Sequence, residues 1–173
     1  MKIALIGPES SGKSTLGMAL AAAINGCYVE EYARTYVEQL RRPYNYLDVL
    51  HIARKQYTQL QTDLTTQPSP YTVFDTDLII TKVWLNYKYG HCPEWINEAL
   101  KPENNPVDLY LLCRPDLPFV PDPTREHPHE REELYEHYLQ EVKQTKKPYV
   151  CISGTELKKR IEQATNGINR YRD

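Results

Sequence analysis

Residues Leu5–Thr15 read LIGPESSGKST, and this stretch decides the fold. Gly7, Gly12, Lys13 and Ser14 stand at G-x-x-x-x-G-K-[ST] spacing, after the apolar run Lys2–Ile6 and before a helical pattern. The chemistry needs these residue types. Glycines let the backbone curl so that successive N–H groups point inward at phosphate oxygens, and a helix N-terminus adds partial positive charge. Lys13 can reach the β- and γ-phosphates, and the Ser14 hydroxyl can ligate Mg²⁺. The expected cradle is therefore Gly7, Glu9, Ser10, Ser11, Gly12, Lys13, Ser14 and Thr15. A chance glycine turn would not be framed by a strand and a helix in this way. The stretch predicts a nucleoside triphosphate site, with ATP and Mg²⁺ as cofactors.

Outward from the loop, four more apolar runs read as strands: Cys27–Glu30, Tyr71–Asp75, Asp108–Cys113 and Pro148–Ile152. They show little apolar/polar alternation, as strands buried on both faces should. Helical patterns lie between them: Gly12 to Ile24, from Tyr32, Tyr46–Thr65, Leu78–Tyr89, Glu130–Gln144 and Glu156–Arg172. Alternation of this kind predicts an α/β fold, a five-stranded parallel sheet flanked by helices. No break divides the 173 residues, so one P-loop domain is expected over the whole length.

Composition narrows the function classes. A net charge of −2 makes no electrostatic case for nucleic acid or an anionic membrane as main partner. The apolar N-terminal run is too short for a signal peptide or a membrane span. Cys27, Cys92, Cys113 and Cys151 are dispersed with no C-x-x-C pair, as expected of thiols in a reducing, cytoplasmic setting. Tyrosine is abundant, 14 copies against 2 Phe and 2 Trp. That excess serves either amphipathic packing or stacking on a flat ligand.

The strand ends carry the candidate chemistry. A G protein would show N-K-x-D and a D-x-x-G switch, and a motor-type ATPase an Asp-Glu pair; neither pattern is present. Instead the third strand runs into YTVFDTD, with Asp75 expected to face the phosphate loop and hold Mg²⁺ or touch the acceptor. Asp77 is either a substrate contact or the cap of the next helix. The second strand leads into EEYAR, where a carboxylate can take the proton of an acceptor hydroxyl. Neighbouring side chains on a strand face opposite ways, so Glu30 and Glu31 should differ in role, and Glu31 is the candidate base.

Residues Arg114–Glu132, RPDLPFVPDPTREHPHERE, hold five prolines and follow the fourth strand. Prolines exclude a core strand here. A stiff lid closing over the triphosphate is expected, with Arg114, Arg125 or Arg131 meeting the transferring phosphoryl group. Arg131 has a second reading, as a solvated side chain. His127 and His129 form an H-x-H better read as solvated or capping than as a metal site. The turn SGTEL after the fifth strand is a helix start that can also meet adenine.

Taken together, GPESSGKST, EEYAR, FDTDLIITKVW and PFVPDPTR resemble the ribosylnicotinamide kinase domain of NadR-type NAD biosynthesis proteins. The resemblance covers nearly the whole chain in motif order. It implies the nucleoside-kinase type of P-loop fold, with the P-loop strand central in the sheet. It further implies ATP-dependent phosphorylation of the 5′-hydroxyl of nicotinamide riboside, giving nicotinamide mononucleotide. By position, Lys13 and Ser14 serve triphosphate and Mg²⁺, and Asp75 the metal or the hydroxyl. Glu31, Tyr32 and Arg34 lie at the acceptor site, and Asp122 and Arg125 belong to the lid, which makes Arg125 the favoured catalytic arginine. Where the family places an aromatic residue before the glutamate, this chain has Glu30, so Tyr32, Tyr57 or Trp84 is expected to stack on the base. The adenylyltransferase and helix-turn-helix parts of NadR-type proteins are not expected within these residues. A kinase for another nucleoside or small hydroxyl acceptor, and a regulatory ATP-binding module, are the competing readings.

Overall fold

The computed structural model describes residues 1–62, 69–122 and 129–172. All five expected strands form: β1 (Lys2–Ile6), β2 (Cys27–Val29), β3 (Thr72–Asp75), β4 (Leu109–Cys113) and β5 (Tyr149–Ile152). They pair in parallel in the order β2-β3-β1-β4-β5. The P-loop strand is central, with Ile3 opposite Val73 on one side and Leu109 on the other.

The helices are α1 (Lys13–Ala23), α2 (Tyr32–Gln39), α3 (Tyr46–Gln61), α4 (Leu78–Tyr89), α5 (Glu94–Ala99), α6 (Arg131–Gln144) and α7 (Leu157–Arg170). Local chemistry sets several of their starts. Asn45 and Asp48 form a reciprocal capping box at α3, and Asp77 caps α4 by accepting from Ile79 N at 2.9 Å. The expected helix over Tyr46–Thr65 ends instead at Gln61, and its tail runs into positions outside the described residues. Helix α5 was not anticipated: at 6 residues it is too short to display a helical period.

Two apolar layers sandwich the sheet. Ile3 and Leu5 pack with Leu16, Leu20, Ala164 and Ile168 of α1 and α7. Ala4 and Ile6 point the other way, into a cluster with residues of α3, α4 and α6. Ile3, Ala4, Leu5 and Ile6 are all 0% exposed, which explains the continuous apolar run. Each fully buried Leu or Ile contributes about 1.5–3 kcal/mol. Parallel pairing also brings the carboxyl ends of all strands to one edge, where ligands of open α/β sheets bind. Among the described residues no helix is long and apolar enough to cross a membrane.

Candidate active site

The phosphate loop curls as its composition demands. Gly7 and Gly12 take φ of 144° and 75°, conformations that side chains disfavour. Lys13 opens α1 and lays its ammonium over the loop, donating to the carbonyls of Gly7 and Pro8 at 2.9 Å each. The loop forms one end of a cavity of about 560 Å³. Gly7, Glu9, Ser10, Ser11, Gly12, Lys13, Ser14 and Thr15 all line it, as do Glu31 and Arg34 from the start of α2. The far wall is apolar and aromatic: Val37, Tyr44, Ile80, Trp84, Tyr87, Leu134 and Tyr138.

Glu31 sits where β2 hands over to α2, facing the loop across this cavity, while Glu30 is exposed on the other side. Burial pushes the Glu31 carboxyl up to about 7; Lys13 pulls it down, and Asp75 adds to the push. A carboxyl so placed is half-ionised near neutral pH, as a general base requires.

Asp75 ends β3 and is buried at 3% exposure. Its Oδ2 accepts from the Tyr28 hydroxyl at 2.9 Å, and the Ser14 side chain lies near the same phenol. Tyr28 thus holds Asp75, one of the two residues expected to hold the metal, and lies near the other. Asp75 Oδ1 is buried with no partner among the described residues, so one carboxylate oxygen is left for a ligand. That donor set, a hydroxyl and a carboxylate with a spare oxygen, fits Mg²⁺. The next residue, Thr76, has φ of 80°, an outlier for a β-branched side chain. It is pinned by Leu5 O, which accepts from its N–H at 3.0 Å, and by Gln56 Nε2, which donates to its Oγ1 at 2.9 Å.

Several expected site residues lie elsewhere. Asp77 takes its capping alternative. Its second oxygen accepts from Tyr110 OH at 2.7 Å, and the residue is 1% exposed inside the core. Burial pushes its carboxyl up to about 6, restrained by those hydrogen bonds. Tyr32 turns from the cavity to α3, with its hydroxyl 3.0 Å from His51 Nε2. Tyr57 packs against Trp95 at a ring-centroid distance of 6.2 Å and does not line the cavity. Of the three expected stacking residues, Trp84 is the one on the cavity wall.

The proline-rich segment is fastened at both sides of the loop. Its Val120 N–H donates to Ser10 Oγ at 3.1 Å, and Asp122 pairs with Arg34 at 2.6 Å. Arg131 is neither solvated nor free to swing: at 8% exposure it donates to the carbonyls of Pro115 and Leu117. Arg114 lies over the Tyr135 ring, 4.9 Å from its centroid, near Asp116 and Glu132 rather than in the cavity. Arg125 and His127 fall outside the described residues, and His129 is exposed. In the SGTEL turn, Gly154 N donates to Asp116 Oδ2 at 2.6 Å, tying this turn to the lid base.

A sequence model of the family described as AAA domain matches residues 2–160. The chain belongs to this AAA-domain family. It is 29% identical over 129 residues to the trifunctional NAD biosynthesis/regulator protein NadR of Salmonella typhimurium, covering 71% of this chain and 30% of that protein. A solved NadR in complex with NAD and AMP-PNP superposes with a TM-score of 0.68 at 25% identity, over 98% of this chain and 49% of that one. A NadR complex with NR gives 0.67 at 24%, over 98% and 50%. Deoxyadenosine kinase from M. mycoides with bound dCTP gives 0.60 at 20%, over 98% and 100%, a likeness of fold. This chain therefore spans about half the length of the NadR structures and under a third of the curated NadR. The resemblance to NadR-type proteins drawn from the motifs holds in sequence and in fold.

What sets this AAA-domain protein's cavity apart was partly hidden in its sequence. Tyr44, Tyr87 and Tyr138 were missed as cavity residues, and Tyr28 as the partner of Asp75. One signal was available: Ile80, Trp84 and Tyr87 recur at i, i+4, i+7 on α4, a bulky stripe on one helix face. Tyr44 meets Trp84 edge-on at 4.9 Å and accepts from its indole N–H at 3.1 Å, so the wall is held rigid. No local pattern announces such a pair.

Proposed function

We propose that this chain is an ATP-dependent kinase that phosphorylates the 5′-hydroxyl of nicotinamide riboside, giving nicotinamide mononucleotide. The carrying observation is the continuity of one cavity from the phosphate loop, past Glu31 and Arg34, to an aromatic wall. Its volume of about 560 Å³ suits a nucleoside beside the terminal phosphates. The NadR complexes with NR and with AMP-PNP support both ligands.

In the proposed reaction Glu31 takes the proton of the 5′-hydroxyl as its oxygen bonds to the γ-phosphorus. The bond from that phosphorus to the β,γ-bridging oxygen breaks, and ADP leaves. Lys13 moves from the Gly7 and Pro8 carbonyls to the phosphate oxygens, and the loop N–H groups hold the rest of the charge. Arg34 fixes the acceptor side and, through Asp122, the lid. Trp84 and Tyr44 offer ring faces to a flat base. Ser14 and Asp75 would hold Mg²⁺, which when bound neutralises triphosphate charge.

The test is ATP turnover with a nucleoside panel that includes nicotinamide riboside. Phosphorylation of that riboside above the other members is the expected result. ADP release with no phosphorylated nucleoside would sink the kinase reading and leave a regulatory ATPase.

A further inference from the structure

Arg160, on α7, plays no part in the chemistry above, yet its guanidinium lies directly behind the phosphate loop. Nη2 donates to the Ser11 carbonyl at 2.7 Å, and the guanidinium lies near the buried Cys113 thiol. Arg160 is 2% exposed, and its Nε is buried without a partner among the described residues. Among the described residues it enters no ion pair. A buried cation with no counter-charge is strongly disfavoured unless something offsets it.

The stereochemistry of the contact indicates what does. A trans peptide is planar, so the Ser11 C=O and the Gly12 N–H point in opposite directions. By holding the carbonyl from behind, Arg160 aims the Gly12 N–H towards the concave side of the loop. Its charge also polarises that peptide and strengthens the N–H as a donor. The loop is shaped around this side chain: a Cβ on Gly12 would stand 2.7 Å from Arg160 Nη1 and 2.6 Å from Leu117 Cδ1. Leu117 in turn is held by Arg131, so α7 and the lid base grip Gly12 together.

We propose that Arg160 is a positioning residue of the phosphate loop, fixing the Ser11–Gly12 peptide from behind, with its unpaired charge balanced by the phosphates of a bound nucleotide. The inference rests on the nucleotide-binding part of the reading above, and not on the identity of the acceptor.

The experiment measures binding of ADP and of inorganic tripolyphosphate, with thermal melts, for the full chain and its Arg160→Met and Arg160→Lys variants. Arg160→Met should melt no lower than wild type without ligand, because an apolar side chain of similar length replaces an unpaired charge. Its Kd for both ligands should rise about ten- to a hundredfold, the weight of a hydrogen bond to a charged group. The KM for the acceptor should not move, and Arg160→Lys should recover part of the lost affinity. Arg160→Met binding both ligands within about twofold of wild type would overturn the proposal. So would a lowered ligand-free melt with no recovery by lysine, since that pattern marks a merely structural residue. Should Arg160→Met not fold, Arg160→Lys decides: weaker binding with an unchanged melt supports the role, and unchanged binding overturns it. A wild-type protein that binds neither ligand overturns the nucleotide reading itself, and this inference with it.

Discussion

The phosphate loop and the aromatic wall share one cavity but are built in opposite ways. The loop is local: eight of its residues between Gly7 and Thr15 line the cavity, and the backbone provides most of the binding groups. The wall is dispersed, with Tyr44 before α3, Trp84 and Tyr87 on α4, and Tyr138 on α6. Backbone chemistry tolerates few alternatives at a given position, whereas a wall needs only apolar area at the right place. The first is therefore sensitive to single atoms, and the second to lost area.

That difference predicts a ranking of effects, with Lys13 at the top. Lys13→Ala removes a preorganised cation at the point where transferring charge develops, and about a thousandfold fall in kcat/KM is expected. The fold should survive, since among the described residues the ammonium hydrogen-bonds only the Gly7 and Pro8 carbonyls. Steady-state kinetics and a thermal melt together check this. Activity equal to wild type would break the loop's half of the comparison.

Glu31 comes next, at the junction of the two regions. Glu31→Gln should lower kcat by about a hundredfold, the usual weight of a general base. The wild-type rate should rise with pH through about 7 as the carboxyl ionises, and this limb should vanish in the variant. Stability moves the other way. Because the folded-state value lies above the ordinary 4.5, the fold favours the protonated form. Glu31's contribution is therefore fully present below about pH 4.5 and lost as pH rises towards 7. Melts at several pH values should show that decline in wild type and a shallower one in Glu31→Gln, with Asp77, raised to about 6, giving the remainder.

The wall should respond more gently. Trp84→Ala removes a ring face while leaving Tyr44 and Tyr87 in place. Base–aromatic stacking is worth about 1–3 kcal/mol, so the KM for the nucleoside should rise about five- to a hundredfold. The KM for ATP should stay within about twofold. An equal rise in both would mean that the wall serves the fold and not the acceptor.

The same contrast explains which parts were legible in the sequence. The phosphate loop, the five strands and the Glu31–Arg34 corner depend on neighbouring residues, so spacing exposed them. Asp77 was ambiguous because a helix-start carboxylate caps or binds with the same local signature, and its burial against Tyr110 comes from 33 residues away. Tyr32 and Tyr57 looked equivalent to Trp84 as stacking residues. Only the packing of α2 on α3, and of Tyr57 on Trp95, turns them aside. Arg160 reaches Ser11 across 149 positions, beyond any local pattern. Arg131 illustrates the same limit: the lack of a carboxylate partner suggested solvent, whereas backbone carbonyls of the lid base supply its acceptors.

The smallest predicted effect tests whether local conformation serves the wall side as it does the loop. In the loop, positive φ falls on Gly7, Ser10 and Gly12, and on the two glycines it carries little strain. After β3 it also falls on Thr76, where a residue held in that region stores roughly 1–3 kcal/mol. A threonine retained there makes sense if the kink aims the neighbouring Asp75 towards Ser14. Thr76→Asn relieves part of the strain, because asparagine enters the left-handed region more readily. Its carboxamide oxygen also offers Gln56 Nε2 a replacement acceptor. Relief of about 1 kcal/mol corresponds to a melting temperature raised by about 2–4 °C. If the kink positions Asp75, kcat should fall a few-fold in this more stable variant while the KM for the nucleoside is unchanged. A stabler protein with wild-type kcat would separate the strain from the chemistry. No gain in melting temperature would mean that the Gln56–Thr76 bond already outweighs the strain it maintains.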